Sequence, residues 1–287
     1  MTGDNRPVIR GQKPVTSNSK TFERYVIPAI EKIPLLGFYA QTRGWPYVIA
    51  WGHRIAGVLL ALYVLLHVYT LSFLSTPDIY DAKMKVYGIL LFSFLEGLLA
   101  IPVIFHALNG GRLISYEIFG ARSDRLMLTW VFGLTVIYTS LQAVLMIMGT
   151  QSVTPAFFWL TVSLLSVCLV VLVATKIWQI QGAVTWKLQR ISGAYLFIMI
   201  PAHLLFMHLH PAVGHEAGVV IARMQNILIK LVDITLVLAI LFHAGYGLIS
   251  IGKDYVASRI LQKLITFLII FLMAMFGWIG VKLILII

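Results

Sequence analysis

Long stretches of apolar residues, separated by short polar connections, dominate the chain from about residue 45 onward. Each stretch has about the 20 residues that a helix needs to cross the roughly 30 Å hydrocarbon layer of a membrane. Because the connections are short, they leave no room for an independent soluble domain. The pattern predicts an all-α polytopic membrane helical bundle with about seven spans, at residues 47–74, 86–110, 127–148, 157–176, 189–209, 226–250 and 260–286.

Charged residues are few and are unevenly placed. They occupy 11% of the 287 positions, whereas apolar types fill 60% and the mean hydropathy is +0.91. The net charge of +11 does not indicate a nucleic-acid partner, because the Lys and Arg residues lie in connections between apolar runs and act as topology signals. With the N-terminus inside, inner segments hold 17 Lys and Arg against five outside. We expect a multi-pass protein of a bacterial or archaeal cytoplasmic membrane, surrounded by lipid, with its N-terminus in the cytoplasm.

The chain also contains an internal repeat. The segment WGHRIAGVLLALYVLLHVY aligns with KLQRISGAYLFIMIPAHLLF at an offset of 136, and FHALNG aligns with FHAGYG at 137. Two three-helix units in one orientation need an extra crossing between them, and the apolar run at 157–176 supplies it. The predicted organisation is therefore a cytoplasmic segment (1–45), a first three-helix unit (46–148), a linking transmembrane helix (149–186) and a second three-helix unit (187–287).

Four histidines lie inside predicted spans at repeat-related positions: His67 with His203, and His106 with His243. An ionisable side chain at membrane depth is costly, and one such histidine alone can be a satisfied core residue. Two imidazoles from facing helices also supply both axial ligands of a six-coordinate haem iron, which is why two repeat-related pairs indicate haem. Zinc would need a third or fourth ligand, and the single cysteine, Cys168, stands alone in a span.

The depth of each histidine in the membrane sorts the four into two pairs. At 1.5 Å per residue, His106 lies about 9 Å from the inner boundary marked by Arg112, and His243 holds the corresponding place. His67 and His203 lie about 20 Å from the same boundary, in the outer half of the membrane. The first pair predicts a proximal haem and the second a distal haem.

Several charged or polar residues near these positions have two interpretations. Arg54 and Arg190, at inner helix ends, can pair with haem propionates or a quinone oxygen, or can simply extend to the interface. Glu96 and Asp233 precede the proximal histidines by ten residues and can relay protons or be satisfied interface carboxylates. Three further histidines cluster in the outer loop and are interpreted as solvated: His208, His210 and His215.

Four short motifs resemble the membrane anchor cytochrome b of succinate:quinone oxidoreductases, which include succinate dehydrogenase and fumarate reductase. HRIAG resembles the HRxxG opening of the larger anchor subunit, and HALNGGR, with Glu117 five residues later, resembles its HxxxGxR signature. QRISG and HAGYG, followed by KDYV, resemble the smaller anchor subunit. The resemblance covers most of residues 45–287 and implies two anchor subunits fused in one chain.

The resemblance implies roles for individual residues. His106 and His243 ligate the proximal haem, while Arg54, Asp254 and Tyr255 form the quinone site beside the iron–sulfur subunit. Arg112 and Arg190 are assigned to cofactor binding together with Arg54. The family often has a serine where this chain has Ala50, so one hydrogen bond to quinone must come from elsewhere. Fused anchors commonly carry one haem, but His67 and His203 resemble the distal ligands of diheme anchors, and two haems b are expected.

The resulting hypothesis is an electron path. Electrons from succinate arrive through a flavoprotein subunit and an iron–sulfur subunit docked on the basic inner face, and they reach quinone held by Arg54 and Tyr255. No dicarboxylate chemistry is expected on this chain, which has no flavin or cluster motif. The sequence leaves open ubiquinone or menaquinone, and succinate oxidation or fumarate reduction, because both depend on potentials set by the surroundings.

Three other classes of membrane protein share parts of this pattern. A bc-type cytochrome is suggested by the 14-residue spacing of His53 and His67, but Gln189 replaces the partner of His53, which is better interpreted as an interface residue near the quinone site. The cytochrome subunit of a formate dehydrogenase or hydrogenase lacks the paired HR/QR openings and the DY ending. A transporter would need helices broken by Gly or Pro around a central site, whereas Pro102 and Pro201 are the only mid-span prolines.

Overall fold

The computed structural model describes residues 32, 34–87, 90–120, 155–208 and 216–287. Within them the fold is helical and contains no strand. The helices are numbered in chain order: α1 Pro34–Arg43, α2 Trp45–Leu71, α3 Pro77–Tyr87, α4 Leu90–Phe119, α5 Pro155–Ile177, α6 Val184–His208, α7 Ala217–Met224, α8 Ile227–Tyr255 and α9 Arg259–Ile286. A short 3₁₀ helix, Ser72–Ser75, follows α2.

The described residues divide into two compact units, with the boundary between Trp51 and Gly52. In the first unit, α1 ends where Gly44 adopts a φ of +83°, a conformation that favours glycine, and its N–H bonds to the carbonyl of Ala40 at 3.0 Å. Gly120 ends α4 in the second unit in the same way, at a φ of +68°. Glycine therefore terminates a helix at both of these described turns.

In the second unit, α6 is the central element. It packs against α4, α5 and α8, and α8 packs in turn against α9. Apolar side chains of α5, α6 and α8 form a buried cluster around Trp159, Met199 and Ile229. A second cluster, around Ile177 and Ala194, joins α5 and α6 to the C-terminal part of α4. These contacts hold the helices that carry His106, His203 and His243 in fixed relation.

The short helices α3 and α7 occupy corresponding places in the repeat, because each lies between two long helices. They pack against each other, and the Asp81 carboxylate accepts the backbone N–H of Ala217 at 2.7 Å. Ala217 is the first residue of α7, so this carboxylate satisfies a donor that a helix N-terminus leaves open. The two residues are 136 positions apart, which is the offset of the repeat.

The prediction of an all-α membrane bundle is confirmed. Six of the predicted spans coincide with long helices, namely α2, α4, α5, α6, α8 and α9, and the span at 127–148 lies outside the described residues. In the described part, four helical segments are long and apolar enough to cross a membrane: Pro46–Ser75, Ala156–Ile177, Ile227–Tyr255 and Arg259–Ile286. The total of seven spans stays a prediction. Pro102 and Pro201 lie inside α4 and α6, which continue through them as helices.

Candidate functional site

The internal repeat is visible in matching contacts between helices. A Cβ added to Gly57 on α2 would lie 3.0 Å from Cε1 of His106 on α4, and one on Gly193 of α6 would lie 3.2 Å from Cε1 of His243 on α8. Such distances are tighter than ordinary van der Waals contact, so a side chain at either glycine would push the imidazole away. Each glycine is therefore required for the close approach of a histidine ring.

A second pair of contacts follows the same rule. A Cβ added to Gly110, one turn after His106, would lie 3.8 Å from Cε1 of His53, and one added to Gly247, one turn after His243, would lie 3.9 Å from the amide nitrogen of Gln189. His53 and Gln189 occupy equivalent positions in the repeat. The packing of α2 on α4 in the first repeat thus matches that of α6 on α8 in the second.

The repeat-related histidines meet across the interface between the two halves. The ring centres of His106 and His243 are 6.2 Å apart with their planes at 84°, and those of His67 and His203 are 6.4 Å apart at 87°. A histidine nitrogen lies about 2.0 Å from a bound metal and about 1.2 Å from its own ring centre, so two imidazoles that hold one iron between them would have ring centres about 6.4 Å apart. Both pairs have the spacing that bis-histidine ligation needs.

The hydrogen bonds of the proximal histidines leave one nitrogen for a ligand role. Nδ1 of His106 lies 3.2 Å from the backbone carbonyl oxygen of His53, which can only accept a hydrogen bond. Nδ1 of His243 lies 3.2 Å from the hydroxyl of Ser192, and that hydroxyl donates to the carbonyl of Gln189 at 3.0 Å. Both rings are thereby held with the proton on Nδ1 and the lone pair on Nε2.

His53 belongs to the same cluster. Its ring stacks on that of His106, with centres 4.0 Å apart and planes within 3° of parallel. Its Nδ1 atom is buried and has no hydrogen-bond partner among the described residues. The next residue, Arg54, belongs to the charged group described below, so His53 connects that group with the proximal histidines. Among the described residues, no group of three or more His, Cys, Asp or Glu side chains is arranged to hold a metal ion.

Two ion pairs cross between the repeats at the end of the bundle that carries Arg54 and Arg190, which we call the charged end. Arg54 Nη2 donates to Asp254 Oδ2 at 2.9 Å. Arg190 donates through Nε and Nη2 to both carboxylate oxygens of Glu117, each at 2.6 Å. Each arginine therefore binds the acid of the other repeat, the reciprocal pattern of two units related by a twofold axis.

The two ion pairs differ in what surrounds them. Arg54 Nη1 also donates to the Tyr255 hydroxyl at 2.7 Å, and all three side chains are at least partly accessible. Arg190 has a lower exposure, and its guanidinium carbon lies 5.4 Å from the ring centre of Trp186. The three residues assigned by resemblance to the quinone site, Arg54, Asp254 and Tyr255, thus form one contiguous and accessible group.

The remaining predicted residues are placed as follows. The Arg112 guanidinium lies 5.5 Å from the ring centre of Tyr116 on its own helix. Oδ1 of Asp233 is buried and has no hydrogen-bond partner among the described residues, and Asp233 interacts electrostatically with Arg223 of α7. The side chains of Glu96 and His208, together with His210 and His215, lie outside the described residues.

Arg223 also interacts with Tyr80 of α3 at the end of the bundle opposite the charged end. Burial lowers the pKa of the Arg223 guanidinium, and the charges of Tyr80 and Asp233 act in the opposite direction. Burial raises the pKa of the Tyr80 phenol, an effect that Arg223 opposes and Asp81 reinforces. Arg223 therefore interacts electrostatically with Asp233, the carboxylate interpreted either as a proton relay or as a satisfied interface residue.

Sequence reasoning missed three features of the site. Glu117 was singled out as the acid that follows the HxxxGxR signature, but not as the partner of Arg190. Ser192 was not singled out, and neither was the backbone carbonyl of His53. No sequence pattern marks a backbone acceptor, because every residue carries one.

Comparison with known proteins gives the family of the chain. The sequence profile of the succinate dehydrogenase/fumarate reductase transmembrane subunit family matches residues 45–147 and 172–281. The succinate dehydrogenase 2 membrane subunit SdhC of Mycobacterium tuberculosis is 36% identical over 95 residues, which cover 32% of this chain and 69% of that subunit. No solved structure matches. With the profile matching most of its length and with its helices arranged as a membrane bundle, the chain belongs to the family of succinate dehydrogenase/fumarate reductase transmembrane subunits.

Proposed function

We propose that this membrane subunit carries two haems b and reacts with membrane quinone at its charged end. The observation that carries the proposal is the pair His106 and His243, whose ring centres are 6.2 Å apart. Each ring has an acceptor at Nδ1, which orients the imidazole and makes Nε2 a better ligand. The donor set suits haem, since two neutral imidazoles are what a six-coordinate porphyrin iron takes.

The pair His67 and His203 supports a second haem by the same geometry, at 6.4 Å. His67 and His203 each lie ten residues beyond the glycine that contacts a proximal histidine, which places the two pairs about 15 Å apart along the bundle. Bound haem would supply one-electron redox chemistry between these levels. The chain's own part is to orient the ligands and to exclude water from the bundle interior.

The group formed by Arg54, Asp254 and Tyr255 supports quinone binding. A guanidinium and a phenol both donate hydrogen bonds, and they can stabilise the negative charge that develops on a quinone oxygen during reduction. Asp254 holds the arginine in place at 2.9 Å and is itself 52% exposed, so a water-accessible carboxylate is available to pass a proton to the reduced quinone.

The matching contacts of the two repeats support the proposal that two anchor subunits are fused in this chain. The family profile matches two stretches that together cover both predicted units. The reciprocal pairs Arg54–Asp254 and Arg190–Glu117 resemble an isologous interface between two subunits.

The remaining parts of the hypothesis concern partners and orientation. Membership of the family means that the subunit assembles with the other subunits of a succinate dehydrogenase/fumarate reductase complex. We propose that the flavoprotein and iron–sulfur subunits dock at the charged end, on the cytoplasmic side of a bacterial or archaeal membrane, where the Lys and Arg residues concentrate. Asp233, beside Arg223, is the described residue that we propose for proton transfer at the opposite end.

The test is haem content per polypeptide in the purified complex. The wild type should show a reduced b-type spectrum and two haems, and His106→Ala and His67→Ala should each lose one. Phe242→Ala is the matched control, because it removes a ring next to His243 that is exposed to the surroundings of the bundle. A wild type without a b-type band would end the haem proposal, and a His67→Ala variant that keeps two haems would overturn the distal site.

A further inference from the structure

The two proximal histidines differ in the acceptor that holds Nδ1. His106 contacts the carbonyl oxygen of His53 directly, at 3.2 Å. His243 contacts the Ser192 hydroxyl at 3.2 Å, and that hydroxyl contacts the carbonyl oxygen of Gln189 at 3.0 Å. Gln189 is the repeat mate of His53, and its backbone also interacts with the His243 ring, so the second repeat adds one hydroxyl acceptor to the carbonyl that both repeats provide.

The difference arises from a single position in the repeat. Ser192 aligns with Ala56, which is buried and has no hydroxyl to offer. The neighbouring glycines, Gly57 and Gly193, are the same in both repeats and admit the two rings at similar distances. The ring positions are thus shared, whereas the hydroxyl at Nδ1 is present in the second repeat alone.

The direction of the hydrogen bonds follows from the donors available. The Ser192 hydroxyl has one proton, and the Gln189 carbonyl can only accept, so the hydroxyl donates there. Its oxygen is left to accept from Nδ1–H of His243. The serine therefore specifies one tautomer of the ring and, by accepting the Nδ1 proton, increases the basicity of Nε2.

We propose that Ser192 is a positioning residue that tunes His243, and thereby the proximal haem, independently of His106. The inference rests on the proposed haem function. The Ser192 hydroxyl would have two effects. It would help to retain the haem, and it would stabilise the oxidised iron by making His243 a more basic ligand.

The test compares Ser192→Ala with the wild-type complex. We expect haem transfer to an apo-globin acceptor to become about 10-fold faster, because partners of metal-binding histidines typically contribute 10- to 100-fold to affinity. We also expect the midpoint potential of one haem to rise, since a less basic ligand stabilises the ferric state less, while any other haem keeps its potential.

Two variants separate this role from simple packing. Ser192→Thr retains a hydroxyl and should restore the wild-type potential and haem retention. Ser115→Ala removes another half-buried serine hydroxyl, which donates to the Gly111 carbonyl of its own helix at 2.8 Å, and should change neither measurement.

The outcomes distinguish this inference from the proposal beneath it. A haem-free wild type would overturn both. A wild type with haem, together with a Ser192→Ala variant of unchanged potential and haem retention, would overturn the role of Ser192 alone. A threonine variant that behaves like the alanine variant would also overturn it, because the effect would then not depend on the hydroxyl.

Discussion

The two ion pairs at the charged end have the same origin in the repeat but different surroundings. Arg54 and Asp254 are 35% and 52% exposed, and Tyr255 adds a phenol donor to them. Arg190 and Glu117 are 24% and 22% exposed, and the Trp186 ring lies over the guanidinium. At the position equivalent to Tyr255 the first repeat has Ile118, which packs in an apolar cluster with Trp186 and Ile177.

The comparison shows how a duplicated contact can take two roles. Both pairs tie one repeat to the other, and we call Arg54–Asp254 the open pair and Arg190–Glu117 the closed pair. In the Arg190–Glu117 pair, aromatic and aliphatic neighbours reduce access to water, and both carboxylate oxygens of the acid accept hydrogen bonds from the arginine. This pair therefore holds the two repeats together. In the Arg54–Asp254 pair, the arginine has the accessible Tyr255 phenol as a second partner and is itself accessible to a ligand. Variants that change one pair and leave the other intact test this distinction.

Replacing the arginine of the open pair should have the largest effect. In Arg54→Leu we expect succinate-dependent quinone reduction to fall about 100-fold, because loss of one preorganised donor to a developing negative charge typically costs that much. Reduction of an artificial dye that accepts electrons before quinone should stay unchanged, and so should haem content. Quinone reduction at the wild-type rate would show that Arg54 is not part of the quinone site.

Replacing the arginine of the closed pair should instead affect stability. Arg190→Leu leaves Glu117 half-buried and without its bidentate partner, so we expect a loss of about 2 kcal/mol, seen as a fall of several degrees in the temperature of half-inactivation. Quinone reduction per intact complex should stay within about threefold of wild type. The double variant Arg190→Leu with Glu117→Leu should recover part of the lost stability, since no charge is then left unpaired. No recovery, or a collapse of quinone activity alone, would contradict a structural role.

The smallest effect on quinone reduction is expected from removal of the Tyr255 hydroxyl. Tyr255→Phe removes one hydrogen-bond donor while keeping the ring beside Arg54, and we expect quinone reduction to decrease up to about tenfold. Tyr116→Phe is the matched control, because this tyrosine lies beside Arg112 within α4 and outside the open pair. Equal decreases in both variants would indicate that the effect is not specific to the open site.

Much of the helical architecture could be predicted from the sequence, and the reason is local. The predicted spans at 157–176, 226–250 and 260–286 coincide with α5, α8 and α9, because a run of apolar residues in a membrane must satisfy its backbone hydrogen bonds within a helix. Helix α4 extends beyond its predicted end at residue 110 to Phe119, since Arg112 and Glu117 find partners at the helix surface that hydropathy does not register.

The site was predicted only in part. The histidines and the acids of the repeat could be paired by alignment, because duplication places equivalent residues on equivalent helices. The crosswise partners could not be derived, since the alignment relates Arg54 to Arg190 without stating which carboxylate each one meets. The assignment of Arg190 to a cofactor stays a prediction, and the observed partner is Glu117.

The sequence alone was enough to predict a membrane bundle with a duplicated core, because hydropathy and the internal repeat can both be detected from the order of residues along the chain. Only the tertiary structure decided which side chains face each other across the two repeats. The reciprocal ion pairs, the ring stacking of His53 on His106 and the hydroxyl of Ser192 against His243 depend on how separate helices dock. Helix docking fixes such contacts to within fractions of an ångström, and no local pattern encodes that distance.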